Sequence, residues 1–265
     1  MQFKQWITHV GVGLLTAIFT IGSQAAMWSD TELHVTNGVI LDAYAKKNED
    51  TTILTIQHAS GHKYGSNFLF VDQSYVKGKG LESYMEGYTS VSLGAITGND
   101  ISYGVINDVG LIGGINLAIE ADKMFLLAGV RLGMDLPGFA FANLDFMSYN
   151  NVVTSAEDKR EEHTSGMVDF SWAIPFEAGG LSWSLEGHAE YIAGRDRKNE
   201  NEDGEIERYE GSFLAQPQLR MDLGKALGYA EGNVYLGIEY QYWKNKLGQK
   251  DQNESTAQML AVWNF

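Results

Sequence analysis

His58 and Ser60, in the stretch HASGHKYGSNFLFVD (58–72), set an imidazole two residues from a hydroxyl. An imidazole within reach of a hydroxyl can take its proton and make it a nucleophile, provided a third group orients the ring. No obvious third group does so here. His58 and His62 are four apart, a spacing that on a helix puts two metal ligands on one face. Ser60–Tyr64 reads instead as a turn, so the two histidines flank a bend. A second place is NENEDGEIERYE (199–210), where Asn201, Asp203, Gly204 and Glu210 fall in the register of a calcium loop. Asn199 stands where that pattern has its first Asp, and no flanking helices are expected. A candidate Ca2+ site therefore competes there with a plain solvated acidic loop. No other cofactor is implied.

What positions these residues depends on where the chain resides. Residues 1–25 read as a secretory signal peptide: Lys4 ahead of an apolar run from Val10 to Gly22, then Ser23 and Ala25 at the small positions of a cleavage site. Residues 26–265 are then the mature chain, expected to form one domain. It contains no apolar run long enough for a membrane helix. With no cysteine, it has neither disulfides nor thiolate chemistry. A formal net charge of −15 argues against a nucleic-acid partner, which needs clustered Lys and Arg.

The last residues, STAQMLAVWNF, alternate strictly. Ala257, Met259, Ala261, Trp263 and Phe265 share one face, Gln258 and Asn264 the other. Similar alternation recurs over 31–41, 51–59, 66–77, 81–96, 104–119, 123–132, 138–149, 164–176, 180–194, 209–223, 232–244 and 255–265. Twelve such segments in residues 26–265 allow about 20 residues per strand and connection, enough for a tilted membrane-crossing strand. Long polar stretches follow the first, seventh, ninth and eleventh segments; short turns follow the second, sixth and eighth. Outer-membrane barrels show that asymmetry, with long loops outside and short turns in the periplasm. The expectation is an all-β, transmembrane, antiparallel up-and-down β-barrel of about twelve strands, with both termini periplasmic. Trp28, Tyr103, Tyr149, Trp172, Tyr242, Trp243 and Trp263 sit near strand ends, as an interfacial girdle would require. A soluble β-sandwich is the alternative fold.

In a membrane barrel the apolar face of each strand meets lipid and the polar face meets the lumen. Parity then predicts the lining. Phe68, Phe70 and Asp72 point inward from one strand, and Phe139, Phe141, Asn143 and Asp145 from another. Glu186, His188 and Glu190 follow, then Gln216, Gln218 and Arg220, then Glu239 and Gln241. Carboxylates and amides can bond the hydroxyls and amines of a polar solute. Rings on the wet side offer stacking surfaces for a flat one, of which nucleobases are an example.

The stretches HASGHKYGSNFLFVD, MDLPGFAFANLDF, QPQLRMDLGKALG, GIEYQYWKNKLG and the closing VWNF resemble the Tsx-like nucleoside-specific channel family of outer-membrane proteins. The likeness covers nearly all of 26–265. It implies a monomeric twelve-stranded barrel with a narrow pore, through which nucleosides and deoxynucleosides diffuse past weak successive sites lined by aromatic and ionisable residues. It also implies outer-membrane lipid and lipopolysaccharide as surroundings. An aromatic final strand is, by the same likeness, a signal to the barrel assembly machinery. Two other functions compete. His-x-Ser also resembles outer-membrane acyl hydrolases such as phospholipase A, with Ser60 as nucleophile and His58 as base. Gly61 follows Ser60 where those enzymes usually carry Asn, and the pair lies at the periplasmic end. The other competitor is a pore-less structural or receptor barrel, its lumen plugged by its own side chains. The expectation is a channel that performs no chemistry.

Overall fold

A sheet with one apolar and one polar face, crossing lipid, must leave no unpaired edge, because exposed backbone groups have no partner in hydrocarbon. The computed structural model describes residues 26–152, 161–200 and 204–265, and in it the sheet closes. Its wall strands are β1 (Trp28–Asp42), β2 (Lys47–His62), β3 (Gly65–Val76), β4 (Gly80–Ser92), β5 (Ile106–Ala118) and β6 (Lys123–Met134). They continue with β7 (Phe141–Asn151), β8 (Ser165–Ala178), β9 (Leu181–Ile192), β12 (Ser212–Asp222), β13 (Val234–Lys244) and β14 (Glu254–Asn264). Each pairs antiparallel with its sequence neighbour in the wall. β14 returns to β1, with Leu33 opposite Trp263. Two short strands, β10 (Arg195–Asp196) and β11 (Arg208–Tyr209), form a separate hairpin between β9 and β12. The chain is thus a closed twelve-stranded up-and-down barrel.

The register sets every side chain on one of two faces. Adjacent residues show the result: Met259 is 71% exposed on the outer wall, whereas Gln258 is 1% exposed inside. Ile56, Leu111, Phe146, Leu236 and Ile238 join Met259 on the outside, all exposed. An exposed apolar belt around a buried polar interior inverts a soluble protein and excludes the sandwich. Among the described residues no helix is long and apolar enough to cross a membrane; the strands do so instead.

The connections differ from the expectation in four places. The first is the turn after β2: Ser60–His62 stay paired with β3, so only Lys63 and Tyr64 turn, and His58 and His62 lie on one strand. The polar stretch after β1 is mostly strand: β1 and β2 run on to Asp42 and from Lys47, leaving a four-residue turn. Asp42 closes it by accepting the backbone N–H groups of Tyr44 and Ala45. Polarity marked exposure there, not loss of pairing. Two short helices were not foreseen, α1 (Leu93–Thr97) and α2 (Leu223–Ala226). Ser92 and Asp222 cap them by accepting from Ala95 and Lys225. Phe139 is not on a strand. Pro137 and Gly138 make a turn in which the Phe139 N–H bonds the Leu136 carbonyl, so β7 begins at Phe141. The expected girdle also splits: Trp172, Tyr242 and Trp263 point outward, but Tyr149 and Trp243 share the inward parity and Tyr103 lies in the β4–β5 connection. Residues 1–25, the expected signal peptide, lie outside the described residues.

Several wall glycines are set by close approach. A Cβ on Gly129 would stand 1.9 Å from the Phe146 carbonyl oxygen, and one on Gly237 2.1 Å from that of Leu219. Both obstacles are backbone of the adjoining strand and cannot swing away. Gly129→Ala is expected to destabilise the barrel by about 1–3 kcal/mol, the usual cost of overpacking. A lowered urea midpoint in lipid vesicles checks this; an unchanged midpoint would mean that the strands separate there without strain.

Candidate functional site

The inner wall is built from parity, and the register brings distant strands to one space. On β3 and β4, Phe68 and Phe70 lie 6.1 Å apart between ring centroids, and Phe70 lies 6.0 Å from Tyr84. This aromatic strip sits across the twelve-stranded ring from β9 and β12, which present His188 and Gln216 as register partners. Beside the strip, Glu86 accepts from the Tyr84 and Tyr88 hydroxyls and from Asn116 Nδ2.

Toward the short-turn end lies an ionic knot. Arg220 Nη1 donates to both oxygens of Glu32, at 3.0 and 3.1 Å, and lies 2.8 Å from Glu186. Its Nε donates to Gln218 at 2.8 Å, and Gln218 donates on to Glu239. Glu32 also bonds His34 at 2.7 Å, and Gln258 donates to Glu239 at 2.9 Å. A second chain runs from Gln216 to Gln241 to Glu254 to Lys246. Arg131 grips Asp145 with two bonds, at 2.8 and 2.7 Å. Asp145, Asp169 and Glu190 are register neighbours on β7, β8 and β9. Buried carboxylates persist only when cations or donors answer them. The single arginine of β12 answers two of them.

Below the knot opens a cavity of about 480 Å³, at the end that faces the periplasm in barrels of this kind. Its lining includes Asp30, Glu32, Glu186, Arg220, Asp222 and Tyr235. At the opposite end the loops fold inward. Glu162, Arg195, Tyr209 and Lys246 are buried or nearly so, and the carbonyl of Gly248 accepts from the N–H of Glu210.

Of the residues expected to line the lumen, Phe68, Phe70, Asp72, Asp145, Glu186, His188, Glu190, Gln216, Gln218, Arg220, Glu239 and Gln241 carry inward register. Phe141 does too, at the rim, and Phe139 does not, for the reason given above. Sequence reasoning missed Glu32, His34 and Glu86, and set Gln258 on the polar face without naming it among the lumen residues. The same alternation carried that signal, in ELHVT, YMEGYT and TAQML. Nothing in the sequence pointed to Arg195 or Glu162, which come from loops. His58 does face outward, beside Leu54 and Ile56, but its Nδ1 is hydrogen-bonded to the Thr31 hydroxyl at 2.8 Å rather than to Ser60. His62 Nδ1 accepts from the Tyr64 backbone, so the two histidines serve separate partners. In the candidate calcium stretch, Asn201 and Asp203 lie outside the described residues, while Glu207 is paired with Arg197 at 2.7 Å.

No protein-family model matches the sequence, and no curated protein does. Similar solved structures include a chain described under "Unveiling the Mechanism Behind the in-meso Crystallization of Membrane Proteins". It is 13% identical, with TM-score 0.43, covering 89% of this chain and 83% of that one. The β domain of the Bordetella autotransporter BrkA is 12% identical, with TM-score 0.38, covering 89% and 98%. CdiB from Acinetobacter baumannii is 8% identical, with TM-score 0.36, covering 89% and 60%. The class rests on this chain's own geometry. A closed antiparallel barrel with an apolar outer belt and a polar interior is a transmembrane β-barrel of the outer-membrane type.

Two outcomes follow from the charges. Arg220→Ala removes the guanidinium that Glu32 and Glu186 share, leaving them the weaker support of His34, Gln57 and Ser184, and is expected to cost about 3–5 kcal/mol, as breaking a buried pair does. Adding Glu32→Gln should recover part of that in the same urea titration, and a double variant no more stable than the single one would deny the pairing. In the loops, burial alone would raise the Glu162 carboxyl, but Lys123 and Arg195 overcome it and hold it below the usual glutamate range. Its contribution is therefore present above that range and is lost as pH falls through the lowered value. Hydrogen exchange at residues 195–209, corrected for intrinsic rate, should accelerate in that acid window and stay flat from there to neutral pH.

Proposed function

We propose that this barrel is an outer-membrane channel for passive, selective diffusion of small polar solutes, with nucleosides and deoxynucleosides as the favoured class. The observation that carries the reading is the two-sided lumen. The Phe68–Phe70–Tyr84 strip stands across the ring from His188 and Gln216, above a cavity large enough for a solute of that size. A base can stack on one side while its sugar hydroxyls bond the other. Stacking of this kind contributes about 1–3 kcal/mol per base, weak enough to allow release. The cavity's carboxylates repel phosphate, so nucleotides are disfavoured and uncharged nucleosides are not. The resemblance to the Tsx-like family supports the same class. The chain acts as a monomer in outer-membrane lipid and lipopolysaccharide, having been inserted by the barrel assembly machinery, and it performs no chemistry. His58 Nδ1, the nitrogen that an orienting carboxylate would hold, is taken by the Thr31 hydroxyl.

One observation favours a second reading, a non-conducting structural or receptor barrel. Glu32, His34, Arg220, Gln258, Leu260 and Val262 are all buried on the inner wall, which crowds the passage between cavity and loops. Swelling of liposomes carrying the protein separates the two. Adenosine and uridine should enter faster than a sugar of similar size, and Phe70→Ala should slow the nucleosides several-fold while sparing the sugar. Equal rates for all three would remove the nucleoside preference, and no swelling at all would leave the pore-less reading.

A further inference from the structure

Above the crowded lumen, one positive charge occupies an unusual position. The guanidinium of Arg195, in the β10–β11 hairpin, lies 5.5 Å from the ring of Phe125, 5.2 Å from that of Tyr149 and 4.9 Å from that of Tyr209. Phe125 and Tyr149 are stacked on each other, with centroids 4.3 Å apart. Their register on β6 and β7 turns both rings into the lumen. The carboxylate of Glu162 completes the enclosure and is ion-paired with Arg195, while its other oxygen lies 3.2 Å from Lys123 Nζ. The Arg195 side chain is only 9% exposed and that of Glu162 not at all. Three rings and one carboxylate around a flat cation make a cation-binding cage. Directly beneath, Leu127, Met147, Met167 and Ile192 form an apolar collar across neighbouring strands of the inner wall.

Ordinary loop anchoring explains this poorly. An anchor needs one ion pair; here two ring-bearing wall strands contribute lumen-facing aromatics to the same guanidinium. The chain also encloses the arginine at the outer mouth, above the inner wall that any solute would have to pass. We propose that this cage is a binding site for small planar cations of the guanidinium type, and that Arg195 is its built-in occupant, latching the outer mouth shut. A solute group of the same chemistry competes with Arg195 for the rings and for Glu162. Where the arginine side chain yields, the mouth widens above the collar. The cage itself stands on geometry alone; the latch rests on the channel reading above.

Methylguanidinium, the tip of an arginine side chain as a free ion, tests both parts on the full chain in lipid vesicles. Arg195→Ala empties the cage, with Arg195→Gln as the substitute should the alanine variant fail to fold. Millimolar methylguanidinium chloride should raise the unfolding temperature of the emptied variant, whereas equal sodium chloride should not, and the wild type should respond less. Adding Glu162→Gln should abolish the response. In planar bilayers the emptied variant should carry a several-fold larger current than wild type, and methylguanidinium should bring it back down. No thermal shift specific to methylguanidinium overturns the cage, whatever the currents do. A thermal shift with wild-type and variant currents equal keeps the cage and overturns the latch. A shift with no current from any form keeps the cage and sinks the channel reading itself.

Discussion

In hydrocarbon every backbone N–H and C=O must find its partner within the protein, and the rest of this structure follows from that demand. Strands can meet it only by closing into a ring, and here the ring closes through β1 and β14. Closure leaves two surfaces with opposite requirements. The outer one must be apolar, so Ile56, Leu111, Ile238 and Met259 stand exposed where a soluble protein would hide them. Most of the polarity, the charged groups above all, is driven inward. Carboxylates that would be harmless on a surface must there be paired.

The lumen is accordingly a core as well as an interior space. Arg220 bonds Glu32, Glu186 and Gln218, and Lys246 bonds Glu254, so cations with few neighbours of their own sign hold the acidic wall together. The same bonds narrow the passage. The resulting barrel is asymmetric along its axis, with an acidic cavity at the short-turn end, an ionic knot roofing that cavity and a folded cap at the loop end. In the channel proposed above, selectivity would arise from what the walls can stack on or bond and from charge at the mouths, and the Phe68–Phe70–Tyr84 strip and the carboxylates of the cavity would supply it.

The cap shows how a surface loop acquires a core-like position. Glu162, Arg195 and Tyr209 stand just beyond the ends of β8, β9 and β12, and the charges of Glu162 and Arg195 would ordinarily be solvated there. They are buried because the barrel mouth offers rings on β6 and β7 and because Lys123 tops the same wall. Each contact is modest alone. Together they order a hairpin that has only two residues per strand and could not persist by itself.

Much of this was determined by the sequence alone, because alternation has a period of two and closure leaves no freedom about which face is which. Twelve strands, their approximate limits and the inward set from Phe68 to Gln241 could be read directly. The one failure in that set, Phe139, lay beside a Pro–Gly turn where alternation continues but the strand does not. The tertiary structure alone decided which inward groups meet. Arg220 reaches Glu32, 188 residues away, through the return of β14 to β1, and no local pattern encodes that distance. It alone placed Arg195 among Phe125, Tyr149 and Tyr209, since loops carry no periodicity to read. Local patterning assigns a residue to a face; only closure of the ring assigns it a partner.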